Sequence, residues 1–157
     1  MHPNAALVAR FYDAFDRHDA EAMAVCYHKE VVFCDPVFGE LHGERAADMW
    51  RMLCGRAKDL KIVASDIAAD DTLGSARWVA TYSFGPKARR VRNDIEARFE
   101  FREGLIARHE DSFPLWTWSR QALGPAGLLL GWTPMVQRRI RGDARRGLDA
   151  FVAQRSR

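Results

Sequence analysis

The sequence predicts an α+β domain in which N-terminal helices pack on a curved antiparallel sheet and a helical extension follows. Three observations predict this class. Apolar side chains recur every four positions in the first 16 residues, alternate with polar ones from about residue 61 to 113, and return to a helical spacing beyond Pro114. A chain of 157 residues has the length of one ordinary domain. We therefore expect one core and one principal site.

The first helix is indicated by Leu7, Phe11 and Phe15, and Asn4 is positioned to cap its N-terminus. Asp19 can cap a second, short helix over residues 20–28. The stretch "VVFCDPVFG" then reads as a strand that enters a turn, and a third helix should follow it.

Four strands are predicted over residues 61–69, 76–84, 91–102 and 105–113, forming an antiparallel meander. The third of them alternates apolar and charged residues, which is typical of one buried and one solvated face. By the same alternation, the fourth strand directs His109 and Asp111 to the side of its apolar residues. These two polar residues break the pattern, and such breaks concentrate at functional sites.

Residues 1–120 are predicted to form the domain, and residues 121–157 its extension, an apolar loop "LGPAGLLLGWTP" followed by a basic amphipathic helix. The net charge of +3 comes from residues 137–157, which hold seven Arg and two Asp. Because the basic residues lie mostly on one terminal helix, we do not expect nucleic-acid binding. A membrane-surface role is disfavoured because the apolar stripe of that helix is sparse.

The composition is that of a soluble globular protein, with 48% hydrophobic and 29% charged residues. The N-terminus lacks the features of a secretory signal, so a cytoplasmic location is expected. The three cysteines show no C-x-x-C spacing and are expected to be free thiols. No metal-ligand spacing, phosphate-binding glycine loop or dinucleotide fingerprint is present, so neither a metal nor a cofactor is expected.

Three stretches in order, "ARFYDAFDRHDAEAM", "VVFCDPVFGELHG" and "FEFREGLIARHEDSF", resemble the SnoaL-like and ketosteroid-isomerase-like branch of the nuclear transport factor 2-like superfamily. The resemblance spans roughly residues 4 to 113. It implies a cone-shaped fold whose open end is a pocket for a small hydrophobic molecule. It also implies a two-fold homodimer that pairs sheet to sheet.

Two aspartates match catalytic positions of this superfamily. Asp35 stands where ketosteroid isomerases carry a proton-moving aspartate in a similar turn, and Asp111 stands where SnoaL-type polyketide cyclases and limonene-epoxide hydrolases use a last-strand aspartate. The tyrosine and protonated aspartate of the isomerase oxyanion hole are matched by Phe11 and approximately Ala97, neither of which donates a hydrogen bond.

The arginine and second aspartate of the epoxide hydrolases correspond to Trp78 and Ala80. Neither the isomerase set nor the hydrolase set is therefore complete in this sequence, and the resemblance leaves the reaction open.

The favoured interpretation is a cofactor-independent acid–base enzyme of isomerase, cyclase or dehydratase type, with hydrolysis as a variant. Asp111, Asp35 and His109 are the candidate catalytic residues, although His109 should lie too far from Asp111 for a short bond without bending. The candidate ligand-binding residues are the aromatic side chains Phe11, Phe15, Trp50, Trp78, Tyr82, Phe99 and Phe113.

Each candidate residue could also have a purely structural role. Asp before Pro is a common turn former, Asp111 could be a satisfied core carboxylate, and the aromatic residues could simply form the core. The alternative function is a non-catalytic small-molecule-binding or oligomerisation protein.

Overall fold

A computed structural model describes residues 1–56 and 58–157 of the chain. The described residues form six helices and six strands, with helices at both ends of the chain and α3 between the second and third strands. In chain order the elements are α1 (Pro3–Asp16), α2 (Ala20–Ala24), β1 (Tyr27–Asp35), β2 (Gly39–His42), α3 (Glu44–Arg56), β3 (Lys61–Ala69), β4 (Leu73–Phe84), β5 (Arg89–Arg102), β6 (Leu105–Ser112), α4 (Leu115–Ala122), α5 (Pro125–Leu130) and α6 (Pro134–Arg155).

The strands form one curved sheet in the order β2-β1-β6-β5-β4-β3. Strands β3 to β6 are the predicted antiparallel meander, so the α+β class with helices packed on a curved sheet is confirmed. One pair differs from the expectation of an all-antiparallel sheet, because β1 runs parallel to β6. The two strands are far apart in sequence, so a long connection can bring β6 back alongside β1 in the same direction.

Two local predictions are wrong. Asn4 does not cap α1, because the helix begins at Pro3 and the ring of His2 accepts from the Asn4 N–H at 3.1 Å. The side-chain amide of Asn4 instead donates to the backbone carbonyls of Asp70 and Asp71. Proline is favoured at a first helical position, which moves the start upstream. The stretch predicted as an apolar loop contains the short helix α5, which also begins at a proline, Pro125.

Other local predictions are confirmed. The Asp19 side chain caps α2, although that helix ends at Ala24, earlier than expected. The predicted basic C-terminal helix is α6, which begins at Pro134 and is capped by Thr133. The cysteines Cys26, Cys34 and Cys54 are free.

Trp50 of α3 is the centre of the hydrophobic core. Its ring lies 4.9 Å from the ring centroid of Phe15, 5.3 Å from that of Phe33 and 5.7 Å from that of Phe11. Phe11 and Phe15 belong to α1, whereas Phe33 belongs to β1, so one side chain joins two helices to the sheet. Edge-to-face contacts of this kind add to the free energy gained by burying the rings.

The C-terminal helix α6 packs against the rest of the fold. Leu148 is fully buried in the main hydrophobic core, and Arg141 donates to the Pro36 carbonyl at 2.9 Å. Arg155 pairs with Asp48 of α3. The predicted boundary at residue 120 falls within α4 and stays a prediction. Within the described residues, no helix is both long and apolar enough to cross a bilayer.

We expect Leu148→Ala to lower the free energy of unfolding by about 2–5 kcal/mol, the usual cost of truncating a fully buried leucine. The measurement is urea unfolding followed by circular dichroism. Leu129→Ala is the matched control, because Leu129 is exposed in α5 and its truncation should change stability by less than about 0.5 kcal/mol. Equal, small effects of the two substitutions would show that α6 does not belong to the same cooperative unit.

Candidate active site

Asp35 ends β1 and organises the turn that leads to β2. Its Oδ1 accepts the backbone N–H of Val37 at 2.9 Å and that of Phe38 at 2.6 Å, while Pro36 stops the strand. The turn-forming role of Asp35 is therefore real. Its second oxygen, Oδ2, makes no hydrogen bond within the described part of the chain, so turn formation uses only half of the carboxyl group.

Asp35 also lies in an apolar environment that changes its titration. The pKa of this carboxyl is raised from 3.8 to about 7, mainly by burial and also by the nearby Asp111 charge. The backbone N–H groups of Phe38, Val37 and Gly39 act in the opposite direction by stabilising the charged form. Burial has the largest effect, so near neutral pH a substantial fraction of Asp35 is protonated.

Asp111 lies on the inner face of β6, opposite Ala97 of β5. Its Oδ1 accepts two hydrogen bonds, one from the indole Nε1 of Trp78 at 3.2 Å and one from Nε2 of His109 at 2.9 Å. The expectation that His109 would be too far for a short bond is wrong. Residues two apart in a strand share a face, and the imidazole ring is long enough to span that spacing.

Behind Asp111, the hydrogen bonds continue as a chain through His109. The Trp50 indole donates to the Tyr27 hydroxyl oxygen at 2.8 Å, and the hydroxyl lies 2.8 Å from Nδ1 of His109. The indole N–H only donates, so the proton of the Tyr27 hydroxyl is available for Nδ1 of His109. Burial raises the pKa of Tyr27 well above its usual value, which keeps that proton in place.

This donor count assigns the protonation of the chain. An ionised carboxylate only accepts, so Nε2 of His109 donates to Asp111, and Nδ1 of the neutral ring then accepts from Tyr27. All donors then point toward Asp111, which accepts as a carboxylate. Tyr27 was missed at the sequence level because residues 20–28 were assigned to the second helix, whereas Tyr27 begins β1.

A cavity of about 520 Å³ opens beside both aspartates. Its walls come from the inner face of the sheet and from α3, α4 and α6, and α1 contributes only Phe15. Five of the seven candidate ligand-binding residues line it, together with both aspartates. These five are Phe15, Trp50, Trp78, Tyr82 and Phe113.

Three candidates lie behind the cavity wall. His109 is fully enclosed by aromatic rings, with the Phe99 ring centroid 4.7 Å away and that of Phe11 5.5 Å away. Phe11 and Phe99 are themselves buried and do not line the cavity. The prediction that Phe11 and Phe99 contact the ligand therefore needs correction. These rings, on α1 and β5, pack in the core around His109.

A second concavity, of about 650 Å³, lies where β4, β5 and β6 present charged residues such as Arg98, Glu100 and Glu110. Neither aspartate of the candidate site reaches it. Among residues 1–56 and 58–157, no group of three His, Cys, Asp or Glu residues is arranged to hold a metal ion.

We expect the raised pKa of Asp35 to appear in the pH dependence of stability. An unfolded aspartate titrates near 3.9, so between about pH 4 and 7 the folded state holds the proton that the unfolded state releases. This contribution to stability is present below pH 4 and is lost as the pH rises to about 7. The Asp35→Asn variant lacks this pH-dependent contribution, while the amide oxygen of the asparagine can still accept the hydrogen bonds of the turn.

Urea unfolding at a series of pH values should show the variant gaining stability relative to the wild type between pH 4 and 7. The change should be no more than about 4 kcal/mol, the linkage limit for this shift. Carbon-13 NMR of the Asp35 carboxyl tests the same point directly. A titration of Asp35 close to pH 4 would contradict the assignment.

More than half of the sequence matches the model of one protein family. The family model described as "SnoaL-like domain" matches residues 8–109. None of the curated proteins matches the sequence significantly.

Several solved structures share the fold. A proposed polyketide cyclase from Xanthomonas campestris pv. campestris is 22% identical, with a TM-score of 0.64 over 76% of this chain and 96% of its own. An epoxide hydrolase from M. tuberculosis, of the limonene-epoxide-hydrolase-like type, is 21% identical, with a TM-score of 0.63 over 84% and 96%.

A Catenulispora acidiphila protein with a ketosteroid-isomerase-like fold, solved with trimethylamine, is 14% identical, with a TM-score of 0.68 over 82% and 97%. At these identities the likeness to the solved structures is one of fold. The family match is broader evidence, because it extends over well over half of the sequence. The chain therefore belongs to the SnoaL-like domain family, with the fold of the nuclear transport factor 2-like and ketosteroid-isomerase-like proteins.

Proposed function

We propose that this protein is an acid–base enzyme of isomerase, cyclase or dehydratase type that acts on a small apolar molecule in the cavity. One observation carries the proposal: Asp35 and Asp111 line the same mostly apolar cavity, yet their environments differ. Two carboxyl groups in different surroundings can divide the roles of acid and base in one step.

Asp111 takes the role of base. Its Oδ1 accepts hydrogen bonds from the N–H groups of Trp78 and His109. Its Oδ2 makes no hydrogen bond among the described residues, so this oxygen can receive a proton from a molecule in the cavity. Hydrogen bonds from rigid, buried indole and imidazole rings also fix its direction.

Asp35 takes the role of acid at neutral pH. With a pKa of about 7 it is partly protonated there, and its unengaged Oδ2 can donate. A protonated carboxyl supplies the hydrogen-bond donor that the oxyanion positions Phe11 and Ala97 lack. The site therefore does not reproduce the ketosteroid isomerase arrangement with the same residues.

A balanced proton transfer follows from these roles. Asp111 removes a proton from the carbon between a carbonyl group and a carbon–carbon double bond while Asp35 donates its proton to the carbonyl oxygen, giving a dienol. Return of a proton from Asp111 to another carbon, with recovery of the hydroxyl proton by Asp35, completes an isomerisation and restores both carboxyl groups. His109 and Tyr27 are positioning residues in this scheme, because neither lines the cavity.

The alternative is a binding protein without turnover, which the apolar lining by Trp50, Trp78 and Phe113 also supports. A minimal proton-transfer reaction separates the two functions without knowledge of the natural substrate. Nitrobenzisoxazole is a suitable probe: a base removes its ring C–H proton, the N–O bond breaks, and a coloured cyanonitrophenolate forms.

We expect the wild type to open nitrobenzisoxazole, and Asp111→Asn to reduce kcat by about a hundredfold or more, the usual scale for removing a general base. The asparagine oxygen can still accept from Trp78 and His109, so the fold should be retained. Absorbance of the product measures the rate. Asp94→Asn is the control, because Asp94 pairs with Arg77 away from the cavity.

A wild-type rate no higher than that of free acetate at the same concentration would contradict catalysis and favour the binding function. Loss of activity in Asp35→Asn but not in Asp111→Asn would reverse the roles assigned to the two aspartates.

We expect Tyr27→Phe to lower kcat on the probe by about tenfold with little change in KM, because it removes the O–H that orients His109. Nitrogen-15 NMR should show that His109 no longer holds its proton uniquely on Nε2. Tyr12→Phe is the matched control, since the Tyr12 hydroxyl is buried and has no partner among the described residues. An unchanged His109 tautomer in Tyr27→Phe would remove Tyr27 from the site.

A further inference from the structure

Helix α5 buries glycine and exposes leucine, the reverse of an ordinary surface helix. Gly127 is its buried residue, and a Cβ atom there would lie 1.9 Å from the carbonyl oxygen of Ser119. A Cβ on Gly131 would lie 2.1 Å from the Ser119 hydroxyl. Helix α5 thus approaches α4 through its glycines, and its leucines are left on the outside.

The apolar patch, which we define as Leu128, Leu129, Leu130, Trp132 and Met135, is exposed to between 51% and 71%. Its shape is held by local bonds: the Trp132 indole donates to the Leu129 carbonyl at 3.0 Å, and Thr133 donates to the Leu130 carbonyl at 2.6 Å. Proteins seldom leave a contiguous apolar surface of this kind without a partner. The patch does not fold back onto the cavity or the core.

The charge next to the apolar patch is mainly positive, although Arg139 lies 4.0 Å from Asp143. Residues 115–142 contain four arginines, Arg120, Arg138, Arg139 and Arg141, and no aspartate or glutamate. Arg138 and Arg139 are exposed in the first turns of α6, directly after Met135. Arg120 lies over the Trp116 ring, 4.9 Å from its centroid. The patch therefore has a positively charged border.

The charge decides between two occupants. A second copy of the chain would present the same patch through a two-fold axis, so both partners would bring a positively charged border to the interface. An anionic lipid surface offers the opposite charge, and leucine and tryptophan suit the region between headgroups and acyl chains.

We propose that the apolar patch and its arginines bind the surface of an anionic lipid bilayer. Leucine and Trp132 insert below the headgroups, and Arg138 and Arg139 contact the lipid phosphates. This inference is independent of the proposed function, because it depends on none of the residues assigned to proton transfer. It differs from the expectation from the sequence, which disfavoured a membrane surface because the apolar stripe of α6 is sparse.

The test is flotation of the full chain with vesicles of phosphatidylcholine alone or phosphatidylcholine mixed with phosphatidylglycerol. We expect binding to the mixed vesicles, weakened by salt, and at least tenfold weaker binding to phosphatidylcholine alone. Leu129→Ser with Trp132→Ser should weaken binding to the mixed vesicles by about tenfold or more. Val63→Ser with Leu73→Ser is the control pair, because both residues are 57% exposed elsewhere on the surface.

The arginines have a matched control as well. Arg138→Gln with Arg139→Gln should weaken binding and reduce its salt dependence, whereas Arg92→Gln with Arg98→Gln removes the same charge from β5 and should have little effect. Circular dichroism verifies that each variant is folded.

Three results would overturn the proposal. The first is no binding to the mixed vesicles. The second is binding that depends on the arginines but not on Leu129 and Trp132, which indicates charge attraction without insertion. The third is a wild-type dimer in light scattering that Leu129→Ser with Trp132→Ser converts to a monomer, which identifies a second copy as the occupant. A dimer that these substitutions leave intact, together with vesicle binding that they abolish, supports the proposal.

Discussion

The hydrogen-bonded chain from Trp50 to Asp111 is the interaction on which the inner structure depends. A carboxylate among aromatic rings loses its hydration, and that loss must be offset by donors. Trp78 and His109 supply them, and Tyr27 and Trp50 fix His109. Each hydrogen bond to a charged group contributes about 1.5–3 kcal/mol. Because the donors come from α3, β1, β4 and β6, satisfying one carboxylate also aligns four elements.

The same arrangement explains why the two aspartates differ. Asp111 accepts from side-chain N–H groups that the core holds rigidly, whereas Asp35 accepts only from the backbone of its own turn and is otherwise desolvated. The negative charge of Asp111 also raises the cost of ionising Asp35. A single cavity thus contains two chemically identical side chains in different environments, and the environment of Asp35 raises its pKa.

The C-terminal helices contribute to the cavity wall and the core on one side and form an exposed apolar face on the other. Trp118 of α4 and Ile140 of α6 complete the cavity wall, and Leu148 extends the main core. Helix α5 lies between them and buries almost nothing but glycine. A segment that contributes little to the core while presenting leucine and tryptophan to solvent is consistent with selection for binding at its outer face.

The sequence by itself determined the fold class, the antiparallel meander and the inward direction of His109 and Asp111, because these follow from the period of apolar residues along a strand. It also identified Asp35 as a turn residue, since Asp-Pro restricts the local backbone. Other features depended on contacts between distant elements. Only the tertiary structure decided that β1 pairs with β6 in parallel, that Tyr27 of β1 reaches His109, and that Phe11 and Phe99 seal the core behind the cavity. Periodicity assigns a side chain to a face, but whether that face meets a cavity, another ring or solvent depends on how the helices pack across it.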